Sequence, residues 1–198
     1  MKLNIDNESL KRLVEEVCSF EQLEFLGIPD IDLYMDQVTT FIDDKFSHLK
    51  RNEEDTAITK TMINNYTKAG ILMPPKKKKY SRQHMVLIIL TYYLKQILSI
   101  NDIQELFAPI VEDINKSEND KVDLKDIYNS FLDIEKKETE DFKLDFEKSL
   151  DCQDSDEDKE DTSKLIVIVI KLILKASIEK RMAEKIIDEF FKNEKLKG

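Results

Sequence analysis

Residues that interrupt helices are scarce in this chain and fall at a few places. The 198 residues include three glycines (Gly27, Gly70 and Gly198) and four prolines, two of which are adjacent, Pro74 and Pro75. The chain is otherwise rich in leucine, isoleucine, lysine and glutamate, a composition typical of helical proteins. The sequence therefore predicts an all-α fold with an extended segment at the Pro-Pro pair, because proline breaks a helix and disfavours helix in the residue before it.

Apolar residues recur every three to four positions along most of the chain, which is the spacing of amphipathic helices. Leu33–Leu49 is expected to be apolar on one side, whereas Arg82–Leu98 is apolar nearly all round and should lie in the core. Thr59, Ser81 and Ser99 are expected N-caps, and Gly70 is expected to end the shortest helix. The pattern predicts helices over Asn7–Leu26, Leu33–Leu49, Lys60–Lys68, Arg82–Leu98, a stretch from Ser99, Asp123–Leu150 (as one helix or two), Ser163–Ala176 and Ile178–Lys195.

Charge is distributed unevenly along the chain. Between Thr56 and Asn101 there are eight basic and no acidic residues, and four of the basic ones are consecutive, Lys76–Lys79. The other residues carry 23 basic and 41 acidic side chains, so the net charge of −10 conceals a basic segment. A basic face on an acidic protein is typical of a protein that binds a polyanion. The alternative is a lysine-rich loop that is merely solvated.

The elements around the basic segment follow the order of a winged helix-turn-helix: helix, loop, short helix, extended basic segment, core helix. In that fold the short helix enters the major groove and the basic wing contacts phosphates. We therefore expect helix 60–68 to read DNA and the wing at 76–80, part of a two-stranded hairpin at about Met73–Tyr80, to bind its backbone. The side chains expected to contact DNA are Thr59, Lys60, Thr61, Asn64, Asn65, Lys68, Lys76, Lys77, Lys78, Lys79, Tyr80 and Arg82.

The segment TKTMINNYTKAGIL, followed by PP, KKKKYS and SINDIQELF, resembles the DNA-binding half of the MerR family. Asn64 and Asn65 replace that family's Arg–Tyr pair. With LYMDQVTTFID, the segment resembles more closely the YkrK-like domain of unknown function of Gram-positive bacteria, over roughly residues 28–135. The resemblance implies a MerR-like winged helix-turn-helix with additional N- and C-terminal helices. The matching positions are Ile63, Tyr66, Gly70, Ile71, Leu72, Lys78, Tyr80, Ser81, Ser99, Ile100 and Ile103.

We expect three regions: an N-terminal helix at 1–27, the winged helix-turn-helix at 28–114, and a C-terminal helical region at 115–198 with an acidic linker at 151–162. The stretch 165-LIVIVIKLILKA-176 is nearly all apolar, and such a surface on a monomer would favour aggregation. The sequence therefore predicts a homodimer whose two-fold interface involves Ser163–Lys195. The alternative is that these helices fold back on Asp123–Leu150.

Motifs of enzymes and of cofactor sites do not occur in the sequence: it has no Gly-rich phosphate loop, no HExxH and no GxSxG. His48 and His84 lie on different helices, so we expect no metal site, no cofactor and no enzymatic activity. The N-terminus lacks a secretion signal, and the most apolar run, Leu165–Leu174, has only ten residues with Lys171 among them, which favours a cytoplasmic protein without a membrane span. Two functions remain, a transcriptional regulator that binds double-stranded DNA as a dimer and a protein-interaction adaptor that keeps the winged fold without binding DNA.

Overall fold

The computed structural model describes residues 7–116, 123–151 and 161–192. Within these ranges the protein is mostly helical and has one small antiparallel sheet, which confirms the all-α class. Short 3₁₀ turns lie at Phe25–Gly27 and Ser47–Leu49, and a π-helical turn, Asp188–Lys192, follows the last helix. The main elements are α1 (Asn7–Cys18), β1 (Leu33–Tyr34), α2 (Met35–Lys45), α3 (Lys60–Lys68), β2 (Lys79–Tyr80), α4 (Arg82–Leu94), α5 (Ile100–Lys116), α6 (Leu124–Asp151) and α7 (Asp161–Ile187).

Several helix ends differ from the sequence expectations. Helix α1 ends at Cys18 instead of Leu26, and α2 begins at Met35 because the two residues before it form a strand. Helix α6 is continuous, and so is α7, where a break had been predicted at Ser177. Neither glycine nor proline occurs in α7, so nothing in its sequence interrupts the backbone hydrogen bonds. Most of the predicted acidic linker, residues 152–160, lies outside the described residues.

The chain divides into two compact units. The larger unit comprises residues 23–129 and 180–198, and its described part contains β1, β2 and α2 to α5. The smaller unit comprises residues 1–22 and 130–179, and contains α1 with most of α6 and the first part of α7. The proposed DNA contacts all fall in the larger unit, and the long apolar run falls in the smaller one.

Helix α4 lies in the core of the larger unit, as its apolar composition predicts. Every residue from His84 to Tyr92 is buried. The ring of Phe46, at the end of α2, lies 5.8 Å from the rings of both Tyr92 and Tyr93. Completely buried side chains of the neighbouring elements complete this core: Val38, Ile42, Ile63, Ile71 and Ile103.

The sheet joins two segments that are distant in the sequence. Leu33 pairs with Tyr80 and Tyr34 with Lys79, in antiparallel register. The prediction that both strands lie within Met73–Tyr80 is therefore wrong. Only an isolated bridge between Lys76 and Lys79 belongs to that hairpin. The chain before α2 therefore holds the base of the lysine segment.

The smaller unit is held by contacts of α1 and the following residues with α6. The side-chain amide of Gln22 donates to the Leu132 carbonyl and to the Glu135 carboxylate, each at 2.8 Å. Lys143 forms an ion pair with Glu15. The buried apolar side chains of this unit are Val14, Leu132, Leu150 and Ile168.

None of the helices in the described ranges is both long and apolar enough to cross a membrane.

Candidate nucleic-acid interface

Helix α3 has a cap at each end, as predicted. The Thr59 hydroxyl accepts a hydrogen bond from the Met62 N–H at 3.2 Å. Gly70 has φ +77°, and the next amide, Ile71 N–H, donates to the Tyr66 carbonyl at 2.9 Å. A left-handed residue in this position is the usual way to end a helix, and glycine adopts it without a steric cost. The predicted bounds Lys60–Lys68 are confirmed.

The loop that leads into α3 is fixed by one carboxylate of α2. Asp43 accepts the Ala57 N–H at 3.0 Å and pairs with the Lys50 ammonium at 2.8 Å. The hydrogen bond from Lys50 and then that from Ala57 hold the pKa of Asp43 below its ordinary value. These contacts set where the chain enters α3, so the orientation of α3 depends on α2.

Helix α3 has a buried face and an exposed face. Ile63 is completely buried and Tyr66 is 3% exposed, so the prediction that this side faces the core is confirmed. The opposite side consists of residues at positions i, i+3, i+4 and i+7, which lie together on a helix. We call this exposed set the outer face of α3: Thr61, Asn64, Asn65 and Lys68. None of the four side chains makes a hydrogen bond or ion pair with another described residue.

The four consecutive lysines form a tight turn, which we call the basic turn, Lys76–Lys79. The Lys79 N–H donates to the Lys76 carbonyl at 3.0 Å. Lys77 and Lys78 both have positive φ, 52° and 63°, the pattern of a type I′ turn. Such turns favour Asn-Gly, because a larger side chain costs about 1–2 kcal/mol in the left-handed region. Strained residues of this kind are concentrated at functional sites.

The lysines of the basic turn differ in their surroundings. Lys76, Lys77 and Lys78 are exposed and form no ion pair with any residue in the described ranges. The Lys79 ammonium lies 5.1 Å from the centre of the Tyr34 ring, a cation–π contact across the sheet. Three of the four charges are therefore directed to solvent, and the fourth helps to hold the turn on β1.

His84 binds the backbone on both sides of the basic turn, at Met73 and at Ser81. This role was not predicted from the sequence. Its Nδ1 accepts the Ser81 N–H at 3.1 Å, and its Nε2 lies 3.2 Å from the Met73 carbonyl. This geometry requires a neutral imidazole that carries its proton on Nε2. Burial is the main reason that the pKa of His84 lies below its ordinary value. The Ser-x-x-His spacing, which is that of a capping box, is the sequence signal for this contact.

Two of the basic residues predicted to contact DNA have acidic partners within the protein. Lys60 forms an ion pair with Asp36. The Arg82 side chain donates from Nε to the Ile28 carbonyl at 3.1 Å and lies 3.4 Å from the Asp30 carboxylate. The segment from Thr56 to Asn101 has no acidic residue of its own, but it has acidic neighbours in the folded protein. Asp30, which precedes β1, and Asp36, in the first turn of α2, lie beside it.

Tyr80 lies in the core. It is 3% exposed, pairs with Leu33, and has its ring 5.5 Å from that of His84 in an edge-to-face contact. Burial raises the pKa of Tyr80 above its ordinary value. Tyr66, which matches the MerR pattern, is also buried, and its pKa is raised to about 12. The buried Tyr80 side chain therefore anchors the end of the basic turn in the core.

Residues that commonly bind metal ions do not gather in the described part of the chain. No group of three His, Cys, Asp or Glu side chains there could hold a metal ion. His84, the buried imidazole, uses both of its ring nitrogens within the protein.

Comparison with known proteins gives one finding. The family described as "Domain of unknown function (DUF1836)" matches residues 23–131. No curated protein and no solved structure gives a significant match. The match agrees with the predicted likeness to an uncharacterised family over roughly residues 28–135, whereas the likeness to MerR proteins stays a prediction. Because the matched residues make up more than half of its 198 residues, the chain belongs to the DUF1836 family.

Proposed function

We propose that this protein is a DNA-binding transcriptional regulator built on a winged helix-turn-helix. In the proposal, α3 enters the major groove with its outer face towards the bases, and the basic turn contacts backbone phosphates. Asparagine can form two hydrogen bonds with the edge of adenine, and lysine contacts phosphate as a point charge.

The observation that carries the proposal is the outer face of α3. Two asparagines and one lysine are exposed there, and none of them has a partner among the described residues. A surface helix that only covers a core needs no particular polar residues, but asparagine and lysine suit base and phosphate contacts. Acidic residues, which would repel DNA, are absent from α3 itself.

The strain of the basic turn supports the same proposal. Lys77 and Lys78 hold left-handed positions that Asn and Gly would occupy at lower free energy. A need for positive charge at the tip of the turn accounts for lysine at both positions. Three exposed lysines can release several counterions from DNA, which stabilises binding to any sequence.

Contacts within the protein reduce the number of predicted DNA-binding side chains that are available to DNA. Lys60 and Arg82 would have to leave Asp36 and Asp30 to reach DNA, and Tyr80 is buried. The proposal therefore relies on the outer face of α3 and on Lys76–Lys78. So few contacts give low affinity, and we propose that the protein binds DNA as a homodimer with two half-sites.

A second candidate is an adaptor that recognises an acidic protein through the same surface and does not bind DNA. The uncharged Asn64–Asn65 pair, in place of the Arg–Tyr pair of MerR proteins, favours it, because α3 then makes fewer charged contacts with a DNA backbone. The ion pairs of Lys60 with Asp36 and of Arg82 with Asp30 also leave fewer free charges for phosphates.

A salt titration with labelled random-sequence duplex distinguishes the two functions. We expect the change of Lys76, Lys77 and Lys78 to alanine to weaken binding to all sequences at least about tenfold, and to flatten the salt dependence by about one unit per lost phosphate contact. The matched control changes three exposed lysines of α6, Lys136, Lys137 and Lys148, to alanine, with the same loss of charge. Wild-type protein that does not bind, or a basic-turn variant that binds like the control, contradicts the DNA-binding proposal.

Selection from a random duplex library tests the role of the outer face of α3. Asn64→Ala and Asn65→Ala should change the preferred sequence at one or two positions, with about 1–3 kcal/mol less discrimination there. The salt dependence should stay as in the wild type, because neither change removes charge. If both variants prefer the same DNA sequence as the wild type, neither asparagine reads a base.

A further inference from the structure

The first half of α7 exposes an unusually large apolar surface. Six aliphatic side chains are each between 54% and 65% exposed. No acidic or basic residue belongs to this set, which we call the uncovered face of α7: Ile166, Val167, Val169, Ile170, Ile173 and Leu174.

The uncovered face lies opposite the side that α7 already packs. Ile168 is buried, and together with Leu172 it faces Phe142 and Phe146 of α6 across a groove of about 310 Å³. At about 100° per residue, the six exposed side chains occupy the arc opposite Ile168. Lys171 lies beside the buried stripe, as do Lys164 and Lys175, so no lysine interrupts the exposed arc.

The remaining parts of the chain have little with which to cover this face. Residues 1–6, 117–122, 152–160 and 193–198 contain six apolar side chains spread over four separate segments: Met1, Leu3, Ile5, Val122, Cys152 and Leu196. The longest of these segments is mostly acidic. These segments therefore cannot supply a cover of matching size and apolarity.

The area suits a symmetric pair. Six aliphatic side chains that are more than half exposed present on the order of 350 Å² of apolar surface, as much as the largest patch on a typical monomer. Two such faces together contribute roughly 700 Å², which is the apolar part of an interface at the small end of the stable range. Because the face carries no charge, two copies can meet there without repulsion.

We propose that the uncovered face of α7 binds the same face of a second copy of the chain, which gives a two-fold symmetric homodimer. An interface of this kind uses one self-complementary patch, and every exposed aliphatic residue is buried by its equivalents in the partner. The interface lies in the smaller unit, whereas the proposed DNA contacts lie in the larger one. The inference rests on the homodimer of the proposed function, whose interface it locates, and does not require DNA binding.

Sedimentation equilibrium of the full chain, without DNA, tests the inference between about 1 and 200 μM, since micromolar is the weak end of the affinities found for interfaces of standard size. We expect the mass to rise from 23.3 kDa towards twice that value. Ile170→Glu should weaken association at least tenfold, because it places a carboxylate in the centre of the apolar face. The matched control is Ile134→Glu on α6, since Ile134 is 60% exposed and Ile170 is 59% exposed. The control should associate like the wild type.

Two results overturn the inference. One is a wild-type monomer over the whole range, which would mean that the chain covers the face by itself. The other is an Ile170→Glu variant that associates as tightly as the control. Circular dichroism establishes whether each variant folds; if Ile170→Glu does not, Ile173→Ser gives the same comparison with a milder change. Because no nucleic acid is present, failure here removes the homodimer but leaves the DNA contacts of α3 and the basic turn open, and failure of the salt titration leaves the dimer open.

Discussion

Helix α4 and the first half of α7 have similar sequences but opposite surroundings. VLIILTYYL in α4 and LIVIVIKLIL in α7 are both almost entirely apolar. In α4 every residue from His84 to Tyr92 is buried, whereas α7 buries Ile168 and exposes residues on both sides of it. The difference shows that apolar composition sets how much cover a helix needs, but that the neighbouring elements decide whether the same chain supplies it. Elements before and after α4 in the sequence enclose it, and α7 packs along one stripe only.

The largest expected difference is in the response of the two helices to loss of a side chain. Ile88→Ala in α4 should lower the free energy of unfolding by about 3 kcal/mol, because Ile88 is completely buried and alanine leaves a cavity. Ile170→Ala in α7 should change it by less than about 0.5 kcal/mol in the monomer. Urea unfolding at submicromolar concentration measures both. An equal loss for Ile170→Ala would show that the chain itself covers α7.

The second largest change in the free energy of unfolding is expected at the start of α4. His84→Leu keeps the apolar bulk but leaves the Ser81 N–H and the Met73 carbonyl without their partner. We expect a loss of about 2 kcal/mol, since buried polar groups without partners are costly. His48→Leu, at an exposed histidine, is the control and should change the stability little. Equal stabilities of the two variants would mean that His84 does not hold the segment.

A smaller change, this time a gain in stability, is expected in the basic turn that precedes α4. Lys77→Asn with Lys78→Gly should stabilise the protein by about 1 kcal/mol, because these residues accept positive φ at lower cost. The same replacements at Lys136 and Lys137, inside α6, should destabilise it by about 1 kcal/mol, since glycine is unfavourable within a helix. Thermal unfolding compares the two. A basic-turn variant no more stable than the wild type would indicate that the turn is not strained.

The smallest expected effect is a dependence of stability on pH that comes from the same end of α4. Burial, as the main cause, lowers the pKa of His84, with a smaller contribution of the same sign from Lys76; the Met73 carbonyl and Asp32 act in the opposite direction. The unfolded chain therefore takes up a proton first as the pH falls. The contribution of His84 is complete above the unfolded pKa of about 6.5 and decreases as the pH falls from there through the folded pKa. Denaturant titrations at pH 7.5 and 5.5 should show this loss in the wild type and not in His84→Leu.

Local features of the sequence were sufficient to predict α3 and the start and burial of α4, although α4 ends at Leu94 instead of Leu98. Thr59 and Gly70 mark the ends of α3, and the apolar residues of α4 have no polar side, so short-range rules apply to both. The sequence also identified α7 as lacking a polar face. The break predicted at Ser177 was wrong, because neither glycine nor proline is there to interrupt the helix.

Contacts between distant segments could not be predicted in the same way. The pairing of β2 with β1 depends on a fold that brings residues 33 and 80 together, and the pairing buries Tyr80, which had been predicted to contact DNA. The acidic partners of Lys60 and Arg82 precede them in the sequence by 24 and 52 positions. A charge count along the sequence therefore gave the basic turn correctly as a cluster of exposed lysines, but could not indicate which nearby lysines and arginines are neutralised.

The small sheet also bears on the order of events during folding. Pairing residue 33 with residue 80 closes a loop whose entropic cost is about 3 kcal/mol, and two residues per strand supply few hydrogen bonds against it. Helices α2 and α3 lie within that loop, so their collapse onto α4 brings the two strands together at little further cost. We therefore expect the strands to pair late, after the hydrophobic nucleus has formed. The basic turn would then acquire its strained shape in one of the last steps of folding.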